Sequence, residues 1–246
     1  MKHHGLPASA SQMREALGED FVEDFSRRLE KVGVDVIRVP DLSTAYSVVL
    51  MERPVVVVPT TGNWFYTNWS IAHELGHLAL GHEGATPDNR AIGELEAQAN
   101  AFAADLLLPR VLLDRVDWSR SDFASVARFL WDSGVSTTAL RNRLAHFHIQ
   151  VSPELVAALE STTQRFLRKY WDTPAGDPVT HRMTESARRR FPDWLKTAHL
   201  EKIGEGKLGK GTLAWMLGVD EDELEVGEPE PEDPSAVETH LDAFLR

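Results

Sequence analysis

The five residues His73-Glu74-Leu75-Gly76-His77 restrict the fold of this chain more than any other part of its sequence. They follow the pattern H-E-x-x-H inside a largely apolar stretch. On an α-helix, residues four apart lie about 40° apart around the axis, so both histidines project from one face. Two imidazoles placed in this way can bind a single zinc ion. The sequence therefore predicts a helix that turns this face toward a cleft.

Glu74 lies about 100° around the same helix from His73, beside a metal rather than on it. A carboxylate in that place suits a general base, because it can take the proton of a water molecule as the water attacks a carbonyl carbon. The other side of the helix is apolar, and we expect it to anchor the helix to the core through Ile71, Leu75 and Leu78.

A catalytic zinc site has three protein ligands and one open position. The chain contains no cysteine, so the third ligand must be a histidine or a carboxylate. The next helix, predicted over residues 93–108, offers Glu94 and Glu96. We favour Glu96 and keep Glu94 as the alternative. Asn100 follows Glu96 by about one helical turn, and its carboxamide could orient a metal ligand.

The surrounding sequence predicts a small sheet among helices. A first helix is expected over residues 11–32, and Gly33 ends it. Three runs typical of strands follow, over residues 34–39, 45–52 and 54–59. The motif helix is expected to begin near Asn68 or Ser70 and to end at Gly81, which would turn His82 away from the metal.

Composition and charge exclude several classes of protein. With 246 residues, of which 42% are hydrophobic and 26% charged, the chain has the composition of a globular protein. The net charge is −12, and residues 219–246 carry 11 acidic residues against one basic residue. This acidity argues against tight nonspecific DNA binding. Neither an apolar run of about 18 residues nor an export signal is present, which indicates a cytoplasmic protein without membrane association.

Two blocks of the sequence resemble the ImmA/IrrE family of bacterial and phage zinc peptidases. They are NWSIAHELGHLALGH, residues 68–82, and ELEAQANAFAADLLLP, residues 94–109. The second block is the more distinctive, because H-E-x-x-H occurs in many zinc peptidases. The resemblance implies a gluzincin-like site with His73, His77 and Glu96 as Zn²⁺ ligands and Glu74 as the catalytic base.

The resemblance also implies an α+β fold, in which a small mixed β-sheet with a zincin-type active-site helix pair precedes a mainly helical C-terminal half. We expect a leader and N-terminal helix over residues 1–33 and a zinc metallopeptidase domain over residues 34–150. A helical module over residues 151–218 and an acidic, largely disordered tail over residues 219–246 complete the prediction, with a linker near residues 172–177.

The implied activity is zinc-dependent hydrolysis of peptide bonds, with an edge strand around residues 55–58 holding the substrate by strand addition. Members of the family cleave, or promote cleavage of, helix–turn–helix (Xre-type) transcriptional repressors of mobile elements or stress genes. No room for such a domain precedes Val34 in this sequence, so we expect the repressor to be a separate protein. Two alternatives are a non-proteolytic zinc-containing regulator that acts through protein or DNA contacts, and a peptidase of general specificity.

Two basic regions have functional and structural interpretations. Residues 121–149 predict two helices joined at Gly134 within the peptidase domain. This helix–turn–helix-like pair could contact DNA, but we favour packing, with its apolar residues buried. Arginines 182, 188, 189 and 190 begin a basic segment, which we interpret as a solvated helix face.

Overall fold

The computed structural model describes residues 5–50, 52–82, 89–171 and 176–227. The chain divides into two compact units, Met1–Arg190 and Phe191–Arg246. The domain boundaries predicted from the sequence stay a prediction. The predicted loop at residues 87–89 and linker at residues 172–177 fall mainly outside the described residues, as does the tail from residue 228 onward.

The first unit contains one three-stranded sheet, formed by β1 (Asp35–Val39), β2 (Tyr46–Leu50) and β3 (Arg53–Pro59). The strand order is β1-β3-β2, with β1 parallel and β2 antiparallel to β3. The α+β class with a small mixed sheet is therefore confirmed. Residues 55–58 do not form an edge strand, because β3 is central and its four valines are buried. A continuous run of buried valines is typical of a strand covered on both faces.

The predicted single N-terminal helix is wrong. The chain forms α1 (Ala10–Leu17), a 3-10 turn (Phe21–Asp24) and α2 (Phe25–Lys31) instead. The break follows from Gly18 and Asp20, which both adopt positive φ angles of 82° and 55°. The apolar residues that suggested one helix are nevertheless buried, and they are Met13, Leu17, Phe21, Phe25 and Leu29.

Eight further helices complete the described part of the first unit. They are α3 (Trp64–Leu80), α4 (Asn89–Leu107), α5 (Arg110–Leu113), α6 (Phe123–Ser133), α7 (Thr137–His146), α8 (Pro153–Ala158), α9 (Thr163–Tyr170) and α10 (Pro178–Ser186). The motif helix α3 begins earlier than predicted, because the Asn63 side chain caps it by accepting from the Tyr66 amide. It ends at Gly81, as predicted.

Close contact between α3 and α4 depends on Gly76, inside the motif. A Cβ atom at this position would lie 3.1 Å from both Ala99 Cα and Phe102 Cβ. The absence of a side chain therefore lets α4 approach the helix that bears the histidines. On the core side of α3, Ile71, Leu75 and Leu78 are buried, as predicted.

The pair α6–α7 is joined at Gly134, as predicted, and packs into the core through Leu130, Leu140 and Leu144. Arg143 is buried as well, and its guanidinium donates to Leu108 O and to Asp105. The preference for packing over DNA contact is therefore consistent with the structure.

The second unit contains α11 (Asp193–Gly204) and α12 (Gly211–Leu217). Ile203 and Leu213 are buried, whereas Trp194 and Trp215 are exposed by 50% and 45%. None of the helices in the described residues is long and apolar enough to cross a membrane.

Candidate metal centre

The two motif histidines and Glu96 meet between α3 and α4. His73 Nε2 lies 3.1 Å from His77 Nε2 and 3.1 Å from Glu96 Oε2, and His77 Nε2 lies 3.4 Å from Glu96 Oε1. Nitrogen and oxygen ligands at about 2.0–2.1 Å from a tetrahedral zinc ion are separated from one another by about 3.3 Å. The structure thus brings together the three side chains that the sequence offered as ligands, and their donor chemistry and spacing fit a divalent metal.

Glu94 does not join this cluster. It lies in the first part of α4, exposed to solvent, where its carboxylate faces Arg90 Nε at 3.5 Å. Among the described residues, the group of side chains that could hold a metal ion comprises His73, His77 and Glu96. The alternative third ligand therefore has no support in the geometry.

Hydrogen bonds orient both imidazoles toward the centre of the cluster. His73 Nδ1 lies 3.1 Å from Asn100 Oδ1, and His77 Nδ1 lies 3.0 Å from His82 Nδ1, while His82 Nε2 lies 3.1 Å from Gln98 Oε1. Because an amide oxygen only accepts, His73 and His82 donate to Asn100 and Gln98. His82 Nδ1 is then an acceptor for His77 Nδ1–H. Both motif histidines consequently present an Nε2 lone pair to the centre of the cluster.

His82 is the clearest correction to the sequence-based prediction. We expected Gly81 to turn it away, yet its ring lies against His77. Gly81 adopts a left-handed conformation, and the amides of Gly81 and His82 donate to Leu78 O and His77 O. This is the Schellman arrangement, which folds the residue after the glycine back over the last helical turn. The signal was present in the sequence, since His82 directly follows the terminating glycine.

Glu74 is almost buried, with 8% of its surface exposed, and it is held by the edge strand. Ser47 Oγ on β2 donates to Glu74 Oε2 over 2.8 Å. Burial raises the pKa of the Glu74 carboxyl, and the Ser47 hydrogen bond and nearby His73 oppose this rise. Burial also lowers the pKa of His77, and His73 acts in the same direction, which favours the neutral imidazole that binds metals. No motif in the sequence pointed to Ser47.

A cleft of about 550 Å³ separates the cluster from the sheet. Its walls include residues 45–49 on one side and Glu74, His77, His82 and Glu96 on the other. Because β2 is an edge strand, an extended segment could enter the cleft alongside it.

The basic segment departs from the solvated face that we expected. Arg182 and Arg190 turn inward: Arg182 donates to Trp131 O, and Arg190 donates to Val36 O and pairs with Glu30. Arg188 is exposed, as expected.

Residues 29–145 match the family described as the IrrE N-terminal-like domain, which is a peptidase family. The match includes the sheet from β1 to β3 and most of the α6–α7 pair. It also includes the three side chains His73, His77 and Glu96, which we call the metal cluster. No curated protein sequence matches the chain.

Proposed function

Because residues 29–145 form a domain of the ImmA/IrrE family of peptidases, we propose that this protein is a zinc-dependent endopeptidase. The observation that supports the proposal most strongly is the convergence of three metal-binding side chains beside a buried carboxylate that an edge strand holds in place. A purely structural zinc site normally has four protein ligands and needs no general base.

His73, His77 and Glu96 would hold the zinc ion. When bound, the ion supplies Lewis acidity, which polarises the scissile carbonyl and makes a water molecule more acidic. Glu74 takes the proton of the attacking water at Oε1 or Oε2 and passes it to the leaving amine. Ser47 keeps the carboxylate directed at the cleft, and Asn100 and His82 hold the ligand imidazoles in one tautomer.

The substrate lies along the open edge of β2 in this proposal, rather than along residues 55–58. Main-chain groups of an extended segment pair with the strand, so the scissile bond is presented to Glu74. We propose that the substrate is a helix–turn–helix repressor of the Xre type, which rests on the family resemblance, and that cleavage takes place in the cytoplasm.

The Glu74→Gln variant tests the activity and the substrate together. Cells of the source organism would express either the wild type or the variant, with and without DNA damage or oxidative stress, and new protein N-termini would be identified by mass spectrometry. Removal of the general base should reduce cleavage by about 10²- to 10⁴-fold while zinc stays bound. A new N-terminus inside a repressor, present only with intact Glu74, would name the substrate.

The Glu94→Gln variant is the matched control. It makes the same chemical change on a solvent-exposed carboxylate that lies outside the cluster. Cleavage should continue at the wild-type rate. If Glu74→Gln and the wild type give identical N-termini under every condition, with zinc bound in both, the protein is a non-proteolytic regulator and the proposal is wrong. Broad cleavage of unfolded casein would instead support a peptidase of general specificity.

A further inference from the structure

A second cavity lies on the side of α3 that faces away from the metal cluster. Its volume is about 300 Å³, and its walls come from the 3-10 turn, α2, β1, α3 and α10. The α3 residues that line it lie roughly 120 to 180° around the helix from His73, and they are Trp64, Thr67, Asn68 and Ile71. Among the described residues, no lining residue is shared with the metal cleft. The two cavities are therefore separate sites.

Unsatisfied hydrogen-bonding groups concentrate at this cavity. In the described part of the chain, three buried side-chain nitrogen or oxygen atoms have neither a hydrogen-bond partner nor an ion-pair partner. All three, Arg38 Nε, Trp64 Nε1 and Ser186 Oγ, belong to residues that line this one cavity. A buried polar group without a partner costs about 1–3 kcal/mol. Three such groups around one space indicate a polar ligand, and two of the three can only donate.

Four arginines and three acidic residues line the cavity. Arg38, Arg182 and Arg190 line it, and Arg190 is paired with Glu30 over 2.6 Å. Among the residues that the structure describes, neither Arg38 nor Arg182 has a carboxylate within ion-pair distance. Burial lowers the pKa of Arg38 to about 10, with Arg190 acting in the same direction, and burial lowers the pKa of Arg182. Both guanidinium groups still carry their charge at neutral pH, in surroundings that penalise it.

Three acidic side chains line the cavity and partly balance the charge of these arginines, although none of them forms an ion pair with Arg38 or Arg182 in the described part of the chain. Asp24 faces the exposed Arg27 at 3.8 Å, and Glu185 pairs with the exposed Arg188 at 2.8 Å. Glu23, together with Asp132 outside the lining, raises the pKa of Arg182 against the effect of burial, and Glu185 does the same for the pKa of Arg38. The cavity therefore keeps hydrogen-bond donors that have no partner among the described residues, while the charges around it are largely balanced.

We infer that this cavity binds a small ligand through a phosphate group. A phosphate group carries two negative charges near neutral pH and accepts hydrogen bonds from several directions, as guanidinium groups, an indole N–H and a hydroxyl supply them here. The cavity has the volume of about ten water molecules, which is enough for a phosphate group and a short organic part. This inference does not depend on the proposed peptidase activity.

Thermal unfolding of the full, metal-loaded chain tests for the ligand. Inorganic phosphate at millimolar concentration should raise the Tm by at least about 2 °C over chloride at equal ionic strength, because a ligand of the native state alone stabilises it. Acetate at the same ionic strength should give no comparable rise. An equal rise in acetate would contradict the assignment to phosphate, and the absence of any rise in phosphate would overturn the site.

Substitutions of residues that line the cavity test whether phosphate binds there. Arg38→Met removes a charge that lines the cavity and should weaken phosphate binding by about tenfold or more in calorimetric titration. Arg90→Met is the matched control, since Arg90 is exposed and lies outside the cavity, and it should bind phosphate as the wild type does. If Arg38→Met does not fold, Ser186→Ala provides the second test, with an expected weakening of about threefold. Unchanged phosphate affinity in the folded cavity variants would overturn the inference.

Two further measurements test whether the metal cluster causes the response to phosphate and which class of phosphate ligand the cavity prefers. Loss of the phosphate response in His77→Ala would place the anion at the metal cluster and overturn the inference. Glycerol phosphate identifies the natural class of ligand: tighter binding than inorganic phosphate supports a phosphorylated small molecule, and weaker binding supports free phosphate in the same site.

Discussion

The two sides of α3 differ in how their polar groups are satisfied. On the side of the metal cluster, each motif histidine has a hydrogen-bond partner. His73 bonds to Asn100, and His77 bonds to His82, which in turn bonds to Gln98. On the other side, buried polar atoms of three residues have no partner in the described part of the chain. One side is thus organised to hold its own side chains in fixed positions, whereas the other offers unused donors to a ligand.

Removal of a ligand histidine should produce the largest effect on either side of α3. We expect His77→Ala to reduce bound zinc from about one ion per chain to almost none, since two protein ligands rarely retain zinc. Elemental analysis of the purified protein measures the zinc content. On the other side of the helix, Arg38→Met should leave the zinc content unchanged. Full zinc occupancy in His77→Ala would show that the cluster is not the metal site.

Substitution of His82 tests whether the hydrogen-bonded chain has functional importance. In His82→Phe, His77 Nδ1 loses its acceptor, and the tautomer that presents Nε2 to the metal is no longer fixed. Loss of such an indirect contact typically weakens metal affinity by about 10- to 100-fold. Competition with a chelator measures the change. His181→Phe, on the exposed surface of α10, is the control and should have no effect. Equal affinities in both variants would leave His82 with only a packing role.

The sequence predicted the metal side of α3 much better than the other side. The residues of the cluster lie within 24 positions of one another, and helical spacing alone aligns His73 with His77. Ser47 escaped prediction because it reaches Glu74 from a different element, through a strand order that local patterns do not determine. The cavity could not be predicted for the same reason: it joins Arg38, Trp64 and Ser186 from three distant segments.

In the N-terminal region, the prediction from the sequence was wrong for a different reason. Its apolar spacing correctly identified the buried residues, but the helix is interrupted at Gly18 and Asp20, which adopt positive φ angles. A spacing of apolar residues that suits a helix is also compatible with two short helices separated by a turn. Periodicity therefore predicted which residues enter the core and not the path of the backbone between them.

The packing of α4 against α3 can be tested at Gly76. In Gly76→Ala, the added methyl group meets the backbone of Ala99 and the Cβ of Phe102, which should lower the free energy of unfolding by about 1–3 kcal/mol. Because α4 carries Glu96, zinc affinity should fall as well. Gly93→Ala is the matched control, since its Cβ would have no neighbour within 4 Å. It should raise stability by about 0.5–1 kcal/mol. Urea unfolding measures both variants, and equal stabilities would contradict the close contact.

The smallest effect should come from Ser186→Ala, on the cavity side of α3. The hydroxyl is buried and has no hydrogen-bond partner among the residues that the structure describes, so its removal also removes a desolvation penalty. In phosphate-free buffer we expect the free energy of unfolding to change by less than about 1 kcal/mol, or to increase slightly. Ser47→Ala makes the same chemical change on the metal side, where the hydroxyl donates to a buried carboxylate, and should cost about 1.5–3 kcal/mol. Urea unfolding of the two variants, with and without phosphate, compares the two sides directly. If Ser186→Ala is as destabilising as Ser47→Ala without phosphate, the hydroxyl already has a partner in the folded chain, and the contrast between the two sides of α3 does not hold.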